Sequence, residues 1–231
     1  MDRRTHSATE AKRRAALEAA SLVEGGEVVG LGTGSTTAFA IEALGRRIAE
    51  EGLDIVGIPT SYAAAQLARR HGIPLRTLDD VEEIDIAIDG ADEIDDEKNL
   101  IKGGGGAHTR EKIIAAAARR FVVIADASKR VGRLGERFPV PVELLPLALP
   151  LVQKRLAALG GTPRLRLARC KDGPVISDQG NFILDVTFEA IEDPSRLEAQ
   201  INAIPGVLDN GIFPRMADLV LIGHETSVER F

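Results

Sequence analysis

The chain has 231 residues, 44% hydrophobic and 28% charged, with a formal net charge of -6. That length supports one large domain, or a large and a small one, around a real core. The acidic balance provides no basic excess of the kind that phosphate backbones or anionic membranes attract, which argues against nucleic-acid and membrane partners. An anionic ligand must therefore be held by local groups.

The single cysteine, Cys170, excludes an intramolecular disulfide and a multi-cysteine zinc cluster, and suits a reducing compartment. Its expected role is that of a small buried hydrophobe. The opening stretch "MDRRTHSATEAKRRAALEAA" has no continuous apolar core, and no later segment approaches the roughly 20 apolar residues of a membrane span. A cytoplasmic protein is expected.

In chain order, apolar residues at helical spacing predict a helix over 9–23, stopped by Gly25 and Gly26. "EVVGLG" follows as a short buried strand, then a helix over 35–50, the strand "DIVGIP", the helix "SYAAAQLARRH" closed by Gly72, and the strand "IDIAID". After a glycine run, "TREKIIAAAARR" is expected to be helical and "FVVIAD" a strand. Such alternation implies right-handed crossovers and an α/β fold: a mostly parallel, Rossmann-like sheet with helices on both faces. Ligands of such sheets sit where strands end and helices begin.

Beyond Arg133 the texture changes. "FPVPVELLP" sets prolines in an apolar stretch, "LALPLVQKRLAALGG" is a helix with a glycine stop, "TPRLRLA" and "NFILDVTF" alternate as half-exposed strands, and "DPSRLEAQINAIPG" is a second helix. A smaller α+β domain with an antiparallel sheet is expected over 134–207. The larger catalytic domain then takes 1–133 and 208–231, with "ADLVLIG" as the last member of its sheet.

Three strand ends carry candidate chemistry. "GLGTGSTT" follows a strand and opens a helix, where glycines allow close approach and free N–H groups favour an anion such as phosphate. It lacks the lysine of a Walker A loop, and Ser35 stands where a dinucleotide fingerprint needs its third glycine, so a phosphate monoester fits better than a nucleotide. "DGADEID" brings Asp89 and Asp92 near one turn, where they can hold sugar hydroxyls or divide acid and base roles. Magnesium bound by Asp89, Asp92, Glu93 and Asp95 is the rival reading. Glu93, Asp95, Asp96 and Glu97 otherwise form a solvated acidic loop.

The third, "KGGGGAHTREK", offers successive N–H groups from residues 103–106, a cation at Lys102 and an acid, Glu111, in the first turn of the next helix. A carboxylate there is a favourable helix-dipole partner in any protein. Beside a donor-rich loop it also reads as a base aimed at a carbon acid whose oxyanion the lysine and N–H groups stabilise.

Taken together, "GLGTGSTT", "DGADEID", "KGGGGAHTREK" and "DASK", in that order, resemble the A-type ribose-5-phosphate isomerases, and "GNFILDVTF" and "GVLDNGIF" extend the resemblance over most of the chain. It implies interconversion of ribose 5-phosphate and ribulose 5-phosphate with no metal and no organic cofactor. The implied substrate-binding residues are Thr33, Gly34, Ser35 and Thr36; Asp89, Gly90, Ala91 and Asp92; Lys102, Gly103, Gly104 and Gly105; and Lys129 of "DASK". Glu111 takes the place of the catalytic base, Lys102 supports the oxyanion, and Asp89 or Asp92 assists ring opening.

A homodimer or dimer of dimers is implied, with the proline-rich stretch at Pro139 and Pro141 as a possible subunit contact. His108 departs from the family pattern, in which an apolar residue is common, and is expected to be structural or solvent-facing. Lys12 is expected on a solvated helix face. A sugar-phosphate sensor and a related isomerase or deaminase are the competing functions. Only about 25 residues are expected before the first strand, too few for a helix-turn-helix domain.

Overall fold

The computed structural model describes residues 3–231, with side chains from Ser7 onward. In chain order its helices are α1 (Arg3–Ser21), α2 (Ser35–Glu51), α3 (Tyr62–Arg70), α4 (His108–Ala117), α5 (Leu149–Ala158) and α6 (Pro194–Asn202). The early strands are β1 (Val28–Leu31), β2 (Val56–Pro59), β3 (Ile84–Gly90), β4 (Glu93–Ile94), β5 (Leu100–Ile101) and β6 (Ala118–Asp126). The later ones are β7 (Val140–Leu144), β8 (Gly161–Leu165), β9 (Phe182–Phe188), β10 (Val207–Asn210), β11 (Ile212–Phe213), β12 (Leu219–Gly223) and β13 (Val228–Arg230). Among the described residues no helix is long and apolar enough to cross a membrane.

Two compact units divide the chain. The larger takes Met1–Ala91, Arg110–Lys129 and Met216–Phe231; the smaller takes Asp92–Thr109 and Arg130–Arg215.

The larger unit is built on a six-stranded sheet in the order β13-β12-β6-β3-β1-β2. All neighbours run parallel except β13, which returns antiparallel beside β12. Alternation along the strands turns Val29, Leu31, Ile86, Ile88, Val122, Ile124 and Leu221 onto one face, against the alanine-rich sides of α1 and α2. Small side chains let these helices lie close: a Cβ on Gly223 of β12 would fall 1.9 Å from the Ala11 carbonyl oxygen of α1. Gly30 and Ala87 point to the opposite face, beneath Ile114 of α4, where a Cβ on Gly30 would meet Ile114 at 2.7 Å. Helices therefore cover both faces.

Strand β1 has β2 on one side and β3 on the other, so successive crossovers leave it in opposite directions. The gap at its carboxyl end is the switch point where such sheets receive ligands.

One element differs from its expected form. The alanine run predicts helix through Arg120, but α4 stops at Ala117 and β6 begins at Ala118. Residues 118–120 instead extend the pairing with β3, Ala118 opposite Ile84 and Arg120 opposite Ile86, and ladder bonds outweigh alanine's helix preference.

In the smaller unit, β7-α5-β8-β9-α6-β10 forms a split βαβ pattern with an antiparallel sheet in the order β10-β7-β9-β8. Val142, Leu144, Leu184 and Val186 of its inner strands pack with Val152 and Leu156 of α5 and Ile201 of α6. A three-stranded ribbon, β11-β5-β4, completes the unit. Pro141 lies buried within β7, opposite Asp185, and its carbonyl accepts the Gly211 N–H at 2.8 Å. It belongs to the sheet interior rather than to a subunit-contact surface. Cys170, expected to be buried, is exposed in the bend between β8 and β9, where no apolar layer covers it.

Candidate active site

In the larger unit, β1 ends and the chain passes Gly32, Thr33 and Gly34 before α2 begins at Ser35. Gly32 continues the ladder by donating its N–H to Ile88 O at 3.0 Å. No side chain fits there, since a Cβ would lie 2.2 Å from Asp89 Oδ1. That proximity has a use: Asp89 Oδ1 accepts the N–H groups of Thr33 at 3.1 Å and Gly90 at 2.7 Å. Asp89 is buried, and these two donors fix its carboxylate at the switch point.

Gly34 adopts φ 132°, a conformation that favours glycine, and exposed Ser35 with half-buried Thr36 opens the first turn of α2. The N–H groups and dipole of a helix start attract anions. Thr33 Oγ1 lies 2.7 Å from Thr60 Oγ1 and donates to Ser61 Oγ at 2.7 Å, so the end of β2 fastens the loop from behind. Thr60 and Ser61 thus end β2 with hydroxyl side chains where a dinucleotide-binding sheet carries an acid for a ribose hydroxyl.

Lys12 is half-exposed, and its Nζ donates to Ser35 Oγ at 3.2 Å through an exposed bond, so α1 brings a cation to the start of α2. Helical periodicity placed Lys12 on the polar side of α1 and could not reveal what faces that side. Lys129 is half-buried in the turn Ala127–Lys129 that follows β6, the strand next to β3. Glu111 lies in the first turn of α4 and is 4% exposed, so it is not a solvated dipole partner. A cleft of about 690 Å³ in this unit, lined by Ile58, Ser61, Tyr62, Leu75 and Ile113, adjoins the loop through Ser61 but contains none of the substrate-binding or catalytic residues singled out by the sequence.

In the smaller unit, Asp92 is tied by its N–H to Ile101 O at 2.8 Å, and its Oδ2 accepts the Gly104 N–H at 2.7 Å. Lys102 is buried, donates its N–H to Gly211 O at 2.9 Å, and holds Nζ 5.5 Å from the centre of the Phe213 ring, a cation–π distance.

The glycine run departs from four successive anion donors. The Gly104 N–H goes to Asp92 and the Gly106 N–H to Gly103 O at 2.9 Å, because the run folds into a turn with φ 103° at Gly103 and 77° at Gly106. Gly104 and Gly105 are exposed, and Gly103 is buried. Arg166 shapes the same turn: it donates to Gly103 O at 3.0 Å and Gly104 O at 3.3 Å while pairing with Asp185 through two nitrogens. Neither Arg166 nor Asp185 was singled out from the sequence, since each stands in an ordinary alternating strand segment.

His108 is fully buried against Gly103, where a Cβ would approach the imidazole to 2.8 Å, so it is structural and not solvent-facing. Glu93 overturns the acidic-loop reading at one position. It is 1% exposed and accepts the N–H groups of Gly135 at 2.6 Å, Arg137 at 2.5 Å and Phe138 at 2.8 Å. Asp95 likewise accepts the N–H groups of Glu97 and Asn99. All four residues of the magnesium reading, Asp89, Asp92, Glu93 and Asp95, therefore accept backbone N–H groups. Asp96 and Glu97 are exposed, as expected, and pair with Arg130 and Arg215.

The family model described as ribose 5-phosphate isomerase A (phosphoriboisomerase A) matches residues 56–227. A ribose-5-phosphate isomerase A from Thermosynechococcus vestitus is 59% identical over 213 residues, covering 92% of this chain and 90% of that protein. The structure of ribose 5-phosphate isomerase A from Methanocaldococcus jannaschii superposes with a TM-score of 0.92 at 51% identity, covering 95% of this chain and 97% of that one. A D-ribose-5-phosphate isomerase solved in complex with phospho-erythronic acid gives a TM-score of 0.94 at 47% identity, covering 96% of this chain and 97% of that one.

Proposed function

Because the chain belongs to the ribose 5-phosphate isomerase A family, we propose that it interconverts D-ribose 5-phosphate and D-ribulose 5-phosphate through an enediolate, in the non-oxidative pentose phosphate pathway. The observation that carries the proposal is the burial of Glu111 in the first turn of α4. A carboxyl group held out of bulk water is not a solvated dipole partner, and proton transfer at a carbon acid gives it a chemical role.

The substrate phosphate is gripped by the start of α2, through Thr33, Gly34, Ser35 and Thr36, with Lys12 adding charge and Lys129 a further contact. Asp89, Gly90, Ala91 and Asp92 hold the sugar hydroxyls. Opening the ring moves a proton from the anomeric hydroxyl to the ring oxygen, a task for Asp89 or Asp92.

Glu111 then removes the proton from C2 of the open aldose. The C1–O double bond becomes single and a C1–C2 double bond forms, leaving negative charge on oxygen. Lys102, with the backbone of Gly103, Gly104 and Gly105, stabilises that charge. Passing the O2 proton to O1 moves the negative charge to O2, and as the C2–O2 double bond forms Glu111 returns its proton to C1, which gives the ketose.

The decisive experiment is a coupled assay of ribose 5-phosphate beside allose 6-phosphate and glucosamine 6-phosphate. Turnover of ribose 5-phosphate well above the other two is expected. Preferential turnover of either competitor would overturn the substrate assignment.

We also assign the protein to the cytoplasm, and propose a homodimer or dimer of dimers. Leu145, Leu147 and Leu151 of the smaller unit are 54%, 94% and 42% exposed and form a candidate apolar contact surface. Light scattering at a single-chain mass would refute the oligomer.

A further inference from the structure

A carboxylate withdrawn completely from water costs several kcal/mol unless hydrogen bonds compensate. Glu143 of β7 is 0% exposed, and four neutral side chains satisfy it. Ser177 Oγ donates to Oε1 at 2.5 Å and Asn181 Nδ2 at 2.9 Å. Thr109 Oγ1 donates to Oε2 at 2.5 Å and Gln179 Nε2 at 3.4 Å.

Three of these donors come from one tight turn, 177–181, in which Ser177 N donates to Asn181 O and Gly180 N to Ser177 O. Shaping that turn accounts for them. It does not account for Thr109, which is 34 residues away in sequence, in the first turn of α4. The opening turn of a helix lacks intrahelical partners for its N–H groups and frays first. Here its second residue is moored by a short bond to a buried charge.

Glu111 stands two residues further along the same turn, so its carboxylate goes where that turn goes. A reacting group displaced by about 1 Å can lose on the order of 10²-fold in rate. We propose that Glu143 is a positioning residue that, through Thr109, fixes the turn of α4 carrying the catalytic base. The inference rests on the isomerase function assigned above.

The test compares Thr109→Val, Thr109→Ser and Glu143→Gln in the full chain, beside wild type and Glu111→Gln. It measures kcat and KM for ribose 5-phosphate, thermal unfolding, and amide exchange over 108–113. Thr109→Val should lower kcat about 10- to 100-fold with KM within about twofold, and should speed exchange in the first turn. Thr109→Ser, which keeps the donor, should recover most of the lost kcat. Glu143→Gln, whose amide can still bond the Thr109 hydroxyl but carries no charge, should lose less kcat than Thr109→Val, and the two combined should lose little beyond Thr109→Val alone.

A folded Thr109→Val protein with kcat near wild type, while Glu111→Gln is disabled, would overturn the positioning role and leave the isomerase assignment standing. A loss appearing in KM alone would also overturn it. An inactive wild type would remove both, whereas full turnover in Glu111→Gln would remove the base role and the positioning role with it and leave the isomerase assignment standing. Should the valine fail to pack, Thr109→Ala gives the same comparison.

Discussion

In the larger unit the loop 32–34 is held from behind, by Asp89 on one side and by Thr60 and Ser61 on the other, and the start of α2 faces outward. The glycine run of the smaller unit is held differently: Asp92 takes one of its N–H groups, Gly103 O another, and Arg166 grips two of its carbonyls. Similar sequences thus give dissimilar devices. The first loop spends the N–H groups of Gly32 and Thr33 on β3 but leads into the start of α2, which no side chain caps, whereas the second closes on its own turn beside the buried Lys102. Glycine-rich segments should be judged by where their N–H groups go, not by glycine content.

That contrast can be broken by substitution. The largest effect is expected from the proton-moving group: Glu111→Gln should lower kcat by about 10²- to 10⁴-fold with the fold intact by circular dichroism. Lys102→Met should follow, at about 10²- to 10³-fold in kcat, if the smaller unit supplies charge to the developing oxyanion. A loss confined to KM would instead make Lys102 a ground-state contact.

Gly32→Ala should destabilise the protein by about 1–3 kcal/mol, seen as a fall in Tm, because its methyl meets Asp89 and the backbone behind it. Gly104→Ala should cost less, since a Cβ there meets the movable ends of Asp92 and Phe138 at 2.8 and 2.9 Å. Equal costs would erase the distinction between the loops. Lys12→Ala should raise KM by about 10-fold at low salt and less at high salt, where a partly exposed charge is screened. A chelator should change nothing, and a chelator-sensitive rate would revive the metal reading of Asp89 and Asp92.

Much of this was legible in the sequence. Alternating periodicities gave the parallel sheet, and the continuous apolar run of "ADLVLIG" placed β12 in it, though not as its last member, since β13 follows at the edge. The order of strand ends singled out Asp89, Lys102 and Glu111, all of which are buried. What stayed hidden depends on partners distant in sequence. Glu93 resembles its exposed neighbours until N–H groups from residues 135–138 converge on it. Lys12 gives no sign of Ser35 until the fold brings the two within reach. Arg166 and Glu143 sit in unremarkable strand patterns, and only the folded chain brings them to the carbonyls of Gly103 and Gly104 and to the hydroxyl of Thr109. Local preference also failed where a ladder competed with it, as at residues 118–120.

The sheet order has a consequence for biosynthesis. Strand β12 pairs with β6, yet some 90 residues are translated between them, so a nascent chain carries β6 with one flank open while 130–215 emerge. Until the last strands leave the ribosome, that flank is a template for misplaced pairing. Chains stalled before Leu219 should therefore aggregate or recruit chaperones, even though every strand-end residue assigned to the chemistry has already been made.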